Sequence, residues 1–461
     1  MKTSSLRRLT LSLVVAVSLG SPAILRAQLG DNNPTGIAGE FNGNVTTGCS
    51  YDPYTGNATR SITDIVVPGA VGAYPLNFTR TINTRTSYAN YAWGAPFGRP
   101  GGWRHSYQWE VKTILAHFTN CGAGGLPSEY TVTYPDGQEV TFGSDGGSTT
   151  PGIGDRFVPI DDPHATSANC YLLLSDGGRV HFYSEILREC NGGQDAEFVF
   201  ACVGIIDPFG QETTISYTNG PGTFTTTVTE PAGRNLRLCW KQYAVLGGIW
   251  VIDRVEERAT PTAQVSRMVG YFYEDFNNTA GLASLIRVEY FNDPRLTAHY
   301  SYQATNSAFG GPPLIRTCDD TMYGGAMSKI AYDFATGRPH GFLWRERYFD
   351  GLDAINGPAV STLTVPADNT KRVETRGDGS SLTFTYENEL GLLKSWTDFQ
   401  GHLFQQDHDA RGFVSYVIDP RGQGHRTDFV QNPITGKTTQ ITHPLTPSDL
   451  NGRAIRVIGY D

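Results

Sequence analysis

Long apolar runs are scarce in this chain, and so are methionine, charge and paired cysteine motifs. After the first 27 residues nothing approaches the roughly 18 uninterrupted apolar residues of a membrane-crossing helix. The seven cysteines contain no C-x-x-C spacing, which argues against a zinc ribbon or a dithiol redox centre. No HExxH, G-x-S-x-G, Walker loop or strand-to-helix G-x-G-x-x-G is present, so the usual sequence arguments for a metalloprotease, serine hydrolase or nucleotide enzyme are missing. Helical periodicity is almost absent as well. What is abundant is glycine (53), proline (26), tyrosine (23) and phenylalanine (23), against 4 methionines and 18% charged residues. Turn formers punctuating Thr-, Val-, Tyr- and Phe-rich segments predict many short strands.

The N-terminus has the order of an export signal. Lys2, Arg7 and Arg8 precede an apolar run from Leu9 to Leu19, then Pro22 and a small residue at Ala27. Eleven residues of helix rise about 16 Å, too little for a hydrocarbon core of roughly 30 Å, so cleavage after Ala27 is expected and anchoring is not. The four basic residues of the signal leave with it, making the mature chain more acidic than the full-length net charge of −9. Nucleic acid and anionic membrane are poor partners for such a surface. Export also places Cys49, Cys121, Cys170, Cys190, Cys202, Cys239 and Cys318 in an oxidising compartment, where disulfides are expected and one thiol of an odd set is left over. Their connectivity is open; Cys190 and Cys202 are close enough in sequence to staple neighbouring strands.

Residues 28–48 read as a leader loop, and structure is expected from about Tyr51. Tyr130–Phe142, YTVTYPDGQEVTF, is a predicted hairpin whose Asp136-Gly137 suits a type I′ turn. The same device recurs at Leu172–Phe182 and Gly377–Tyr386. Asp207-Pro208-Phe209-Gly210 and Glu230-Pro231-Ala232-Gly233 are further turns of this kind. Asp398, Asp409, Asp419 and Asn432 open near-regular turns towards the C-terminus. Leu236–Val255 has helix-like apolar content, but Gly247-Gly248 at its centre favours two strands. An acidic residue, a short spacer ending in Gly, and a strand tipped by an aromatic therefore form a repeat.

Thr55–Arg85, TGNATRSITDIVVPGAVGAYPLNFTRTINTR, and Phe97–Val111, FGRPGGWRHSYQWEV, resemble the start of RHS proteins, and the Asp-x-x-Gly units resemble their YD repeats. The likeness runs from about residue 45 onward, densest at both ends. It implies an all-β fold: a long antiparallel β-strip of hairpin repeats, curled or spiral, building a shell. The organisation expected is a signal peptide (1–27), the leader loop (28–48), an RHS-type N-terminal β module (49–115), irregular β-hairpin repeats (116–375) and YD-type repeats (376–461). The sequence stops at Tyr460-Asp461 without the family's closing core motif or cargo, so self-cleavage and toxin activity are not carried over, and a truncated product or one piece of a split shell is the expectation.

Candidate chemistry is thin. In Asp407-His408-Asp409, alternation would put the carboxylates on one sheet face and the imidazole on the other, so a solvated turn is expected. His105 reads as a hydrogen-bonded structural histidine. Tyr88, Tyr91 and Trp93 are the candidate ligand platform, while Trp103, Tyr107 and Trp109 are expected on one buried face. No catalytic residue, metal or cofactor is expected. The function expected is a secreted or cell-envelope structural and interaction module. Its partners would be an extracellular glycan or protein, further RHS segments or a cargo; the alternative is a carbohydrate- or peptide-binding protein, with a hydrolase third.

Overall fold

In a computed structural model, residues 49–51, 58–69, 71–83, 95–98, 103–115, 129–150, 152–159, 167–185, 196–243, 249–275, 283–303, 314–320, 326–334, 342–349, 361–364, 371–376, 378–387, 392–433, 436–444 and 453–459 are described. The signal and leader segments lie outside them. Among the described residues the regular structure is β-strand, apart from one 3₁₀ turn at Gln423–His425.

Strands β1 (Cys49–Tyr51), β2 (Ala58–Val66), β3 (Asn77–Asn83) and β4 (Trp103–His105) pair in sequence order as a four-stranded sheet. The long ladder starts with β5 (Glu110–Leu115), β6 (Glu129–Thr133) and β7 (Glu139–Gly143). It continues through β8 (Arg156–Val158), β9 (Ser167–Leu173), β10 (Arg179–Glu185), β11 (Ala196–Ile206), β12 (Glu212–Gly220), β13 (Thr223–Thr229) and β14 (Asn235–Tyr243). Then come β15 (Ile249–Arg258), β16 (Val265–Asp275), β17 (Ala283–Tyr290) and β18 (Thr297–Gln303), and twelve more strands from Leu314–Asp320 to Ile455–Val457. From β8 onward each strand pairs antiparallel with the next. The expected antiparallel strip of hairpins is therefore present.

The ladder branches instead of closing. One edge of β11 carries β10, while the other is shared between β5 along Ala196–Ala201 and β12 along Gly204–Ile206. The strip also curls: the Gly152 N–H, in the loop after β7, donates to the Arg411 carbonyl at 2.7 Å, although the two are far apart in sequence.

The turns follow one plan, and it differs from the type I′ expectation. Tyr134 N–H bonds the Gln138 carbonyl and Gly137 N–H bonds the Tyr134 carbonyl; the same pair of bonds recurs in the turns opened by Leu174, Asp207, Glu230, Asp398 and Asp409. This is a three-residue loop, a type I turn closed by a left-handed glycine in a bulge. Gly137 has φ 87°, but Asp136 is not left-handed; Phe291 and Asn292 alone are, among described non-glycine residues. Pro135 explains the choice, since its fixed φ suits the first position of a type I turn. The aspartate caps the turn, Asp136 Oδ1 accepting the Gln138 N–H at 3.0 Å. Asn432 opens a longer version, closed by Gly436.

Strand β13 shows the alternation that buries one face, Phe224, Thr226 and Val228 facing inwards. The main core runs from Ile62 on β2 to Tyr300 on β18, joining the small sheet to the ladder, and Leu382, Phe384, Tyr386 and Leu393 form a second core. After the buried Phe413, Val414 and Ile418 the sheet is wetted on both faces: all of Thr438–Thr442, and five of six residues in Arg426–Gln431, are half-buried. The Gly247-Gly248 reading holds in that β14 and β15 pair antiparallel on either side of it.

Candidate functional site

The small sheet meets the ladder around a buried ion pair. Asp64 is the extra residue of a bulge in β2 between Thr63 and Ile65, and Arg80 lies opposite Ile62 on β3; both side chains are 0% exposed. Arg80 Nε and Nη2 bond the two Asp64 oxygens at 2.5 and 2.9 Å. Three tyrosines from the ladder complete the group: Tyr271 donates to Asp64 at 2.7 Å, and the Tyr290 and Tyr300 hydroxyls lie 3.3 Å from Arg80 Nη2. The guanidinium also sits over Trp103, Tyr271 and Tyr300, with its carbon 5.0, 5.6 and 5.6 Å from the ring centres. Burial drives the Tyr271 phenol well above its ordinary pKa. Buried throughout, with Tyr300 the most exposed member at 5%, this group is a dock between two sheets. Sequence reasoning passed over it because Arg80 is one polar residue in an alternating strand and its tyrosine partners lie about 200 positions away.

Around the dock, Trp103 and Tyr107 are buried and Trp109 is half-buried. The expected single face is not how this arises. All three residues of β4 are buried, Ser106-Tyr107 turns the chain, and Trp109 packs on Tyr134 at 4.9 Å while Trp103 packs on Tyr300 at 5.0 Å. His105 is structural as expected: its ring stacks on Phe78 at 5.3 Å, and Nδ1 accepts the Tyr107 N–H at 3.4 Å. Burial, helped by Arg104, pushes its pKa down to about 3, so it stays neutral. Tyr88, Tyr91 and Trp93 lie outside the described residues.

Asp407, His408 and Asp409 do not converge. A bulge separates Asp407 from His408, Asp409 Oδ1 caps its own turn through the Arg411 and Phe413 N–H groups, and neither His408 nitrogen has a hydrogen-bond partner. Among the described residues, no cluster of three or more His, Cys, Asp and Glu could hold a metal.

The disulfide expectation is corrected at three positions. Cys170, Cys202 and Cys239 are free, buried thiols. Cys170 and Cys202 share a row but flank Phe182 of the intervening strand, two strand spacings or about 9.5 Å apart, beyond the roughly 7 Å limit for a bridge. Burial pushes both thiols above their ordinary pKa, and that of Cys239 likewise. The side chains of Cys49, Cys121, Cys190 and Cys318 lie outside those described.

A second contact between the sheets is a rim of turns. The loop joining β2 to β3 runs along the turns opened by Leu174, Asp207 and Glu230. Arg234 Nη1 and Nη2 bond the Pro68 and Gly69 carbonyls, each at 2.6 Å. Val71 N–H donates to Glu230 Oε2 at 2.9 Å, Ala73 N–H to Asp207 Oδ2 at 2.7 Å, and the Tyr74 hydroxyl to Asp176 Oδ2 at 2.8 Å. Gly178 is required beneath it, since a Cβ there would meet the Tyr74 hydroxyl at 2.0 Å. Only the acidic turn residues themselves are legible in the sequence; that one carboxylate serves both its turn and a distant loop is not.

No protein-family description matches the chain, and no curated protein matches it either. Among solved structures it is similar to TcdB2-TccC3-TEV, at 10% identity over 83% of this chain and 22% of that one, with a TM-score of 0.26. A second is the N-terminal domain of the effector protein SpvB from Salmonella typhimurium, at 12% identity over 59% of this chain and 95% of that one, TM-score 0.21. A third is a porin-like protein from Bacteroides uniformis, at 11% identity over 68% and 93%, TM-score 0.16. The chain spans 22% of the length of the first of these, and none of the three likenesses carries an activity across.

Proposed function

We propose that this chain is an exported structural and interaction module of the RHS/YD type, part of an extracellular or envelope-associated β-shell, with no catalytic role of its own. The observation that carries the reading is the strip itself: strand after strand paired antiparallel with the next, six of the described turns sharing one glycine-closed plan, so that each arm gains stability from its neighbours. The strands beyond Ile418 support it further, since a one-layer sheet half-exposed on both sides is suited to a wall between solvent compartments. Its partners are then an extracellular glycan or protein, further segments of the same repeat type, or a cargo.

Production with the native N-terminus in a bacterial host, followed by fractionation and intact mass, tests the export half. The expected product lies outside the cytoplasm and begins at Gln28. Electron microscopy of that product tests the architecture: a curved wall one sheet thick supports the shell, and a set of solid lobes would remove the basis for it.

A further inference from the structure

We propose that Val67–Leu76 is an acid-released strap, which lets go of the ladder's rim of turns while the ladder stays folded. The two ends are anchored by burial, Val67 at 3% and Leu76 at 1% exposure. Between them the described side chains are exposed, apart from the half-buried Tyr74, so the apolar contribution is small and polar ties hold the strap.

The ties from Val71, Ala73 and Tyr74 end on carboxylate oxygens, while Arg234, which bonds the Pro68 and Gly69 carbonyls, is itself held by Glu230. Each carboxylate divides its oxygens between two tasks. Asp207 Oδ1 caps its turn through the Phe209 and Gln211 N–H groups, leaving Oδ2 for Ala73. Asp176 Oδ1 accepts the Gly178 N–H, leaving Oδ2 for Tyr74. Glu230 Oε1 pairs with Arg234, leaving Oε2 for Val71. At the turns of Asp398, Asp409 and Asp419 the second oxygen is instead taken by His402, Arg411 and Arg421, so the strapped turns are a distinct set.

The groups facing the strap are Asp155, Asp176, Asp207, Glu230 and Arg234 of the ladder, with Tyr107 beneath and Tyr74 on the strap itself. Burial raises both phenols above their ordinary value, so they keep their protons at neutral pH and below. The N–H of Ala73 is the leading cause holding the Asp207 carboxyl below the ordinary carboxylate value, with the Gln211, Phe209 and Gly210 N–H groups adding to it and desolvation opposing. The sign follows: a carboxyl depressed by this contact keeps the strap down above the ordinary carboxylate pKa, and the contact is lost as pH falls through the depressed one.

The test is amide hydrogen exchange on the full mature chain, with rates corrected for the intrinsic pH dependence. Protection of Val71 and Ala73 is expected to fall about tenfold or more between about pH 6 and about pH 2.5 while Val228 and Leu236 in the ladder keep theirs. Asp207→Asn retains an oxygen for the turn but turns an amide N–H₂ towards Ala73. It should therefore expose Ala73 at neutral pH and flatten its pH response, whereas Asp409→Asn, in a matching turn without a strap, should leave Ala73 unchanged. Strap protection that tracks the ladder at every pH, or an Asp207→Asn chain whose Ala73 exchanges as in the parent, would overturn the proposal. Should that variant not fold, the parent's pH series decides alone, because separate or simultaneous loss of the two protections is read directly.

Discussion

Arg80→Ala tests whether the small sheet is docked by its buried ion pair. Truncation leaves Asp64, fully buried, with one described donor, the Tyr271 hydroxyl at 2.7 Å. Removing one partner of a buried pair costs about 3–5 kcal/mol, and lost contact with the faces of Trp103, Tyr271 and Tyr300 adds about 1 kcal/mol. Replacing both residues by apolar ones of similar size, Asp64→Leu with Arg80→Met, strands no charge and should fall within about 2 kcal/mol of the parent on either side. A double-mutant cycle should thus show coupling of about 3 kcal/mol. Urea unfolding read by near-UV circular dichroism, which reports Trp103, is the assay; at about 2 kcal/mol per molar, Arg80→Ala should lower the midpoint by about 2 M. The transition compared is the one in which Trp103 leaves its packing on Tyr300. A loss below about 1 kcal/mol, or a double variant as damaged as Arg80→Ala, would refute the docking role.

Three further outcomes follow from other parts of the fold. Gly401 has φ +84° and open space, with nothing within 4 Å, where an added methyl group would sit, so Gly401→Ala should cost about 1–2 kcal/mol from backbone conformation alone, whereas Gly424→Ala, which needs no left-handed residue, should be neutral; equal thermal shifts would contradict the turn geometry. Cys170, Cys202 and Cys239 should resist alkylation in the native protein and react in urea without reductant, and a disulfide-linked peptide containing any of them in mass spectrometry would count against the ladder register. If the aromatic segment before β4 holds sugars, Trp93→Ala should abolish binding on a glycan array, and an array on which the parent binds nothing removes that alternative.

Some of this architecture is local enough to read from residues in order. A turn such as Glu230-Pro231-Ala232-Gly233 closes within five positions through bonds among its own atoms, and β13 records its buried face in every second residue. The type I′ reading of Asp136-Gly137 failed on a local detail, because Pro135 belongs to the loop and makes it one residue longer.

The run of turns and strands, hence an all-β strip, is written in the order of residues, because a turn such as that of Asp409 takes its hydrogen bonds and its capping carboxylate from near neighbours. The folded chain alone reveals that Asp64 and Arg80 meet tyrosines from β16, β17 and β18, that β11 is where the ladder branches, that Cys170 and Cys202 are held apart by Phe182, and that a loop from the small sheet occupies the spare oxygens of Asp176, Asp207 and Glu230. The physical reason is the curl of the sheet. Small twists accumulate strand by strand into contacts between residues 100 to 200 positions apart, and no periodicity along the chain encodes the sum.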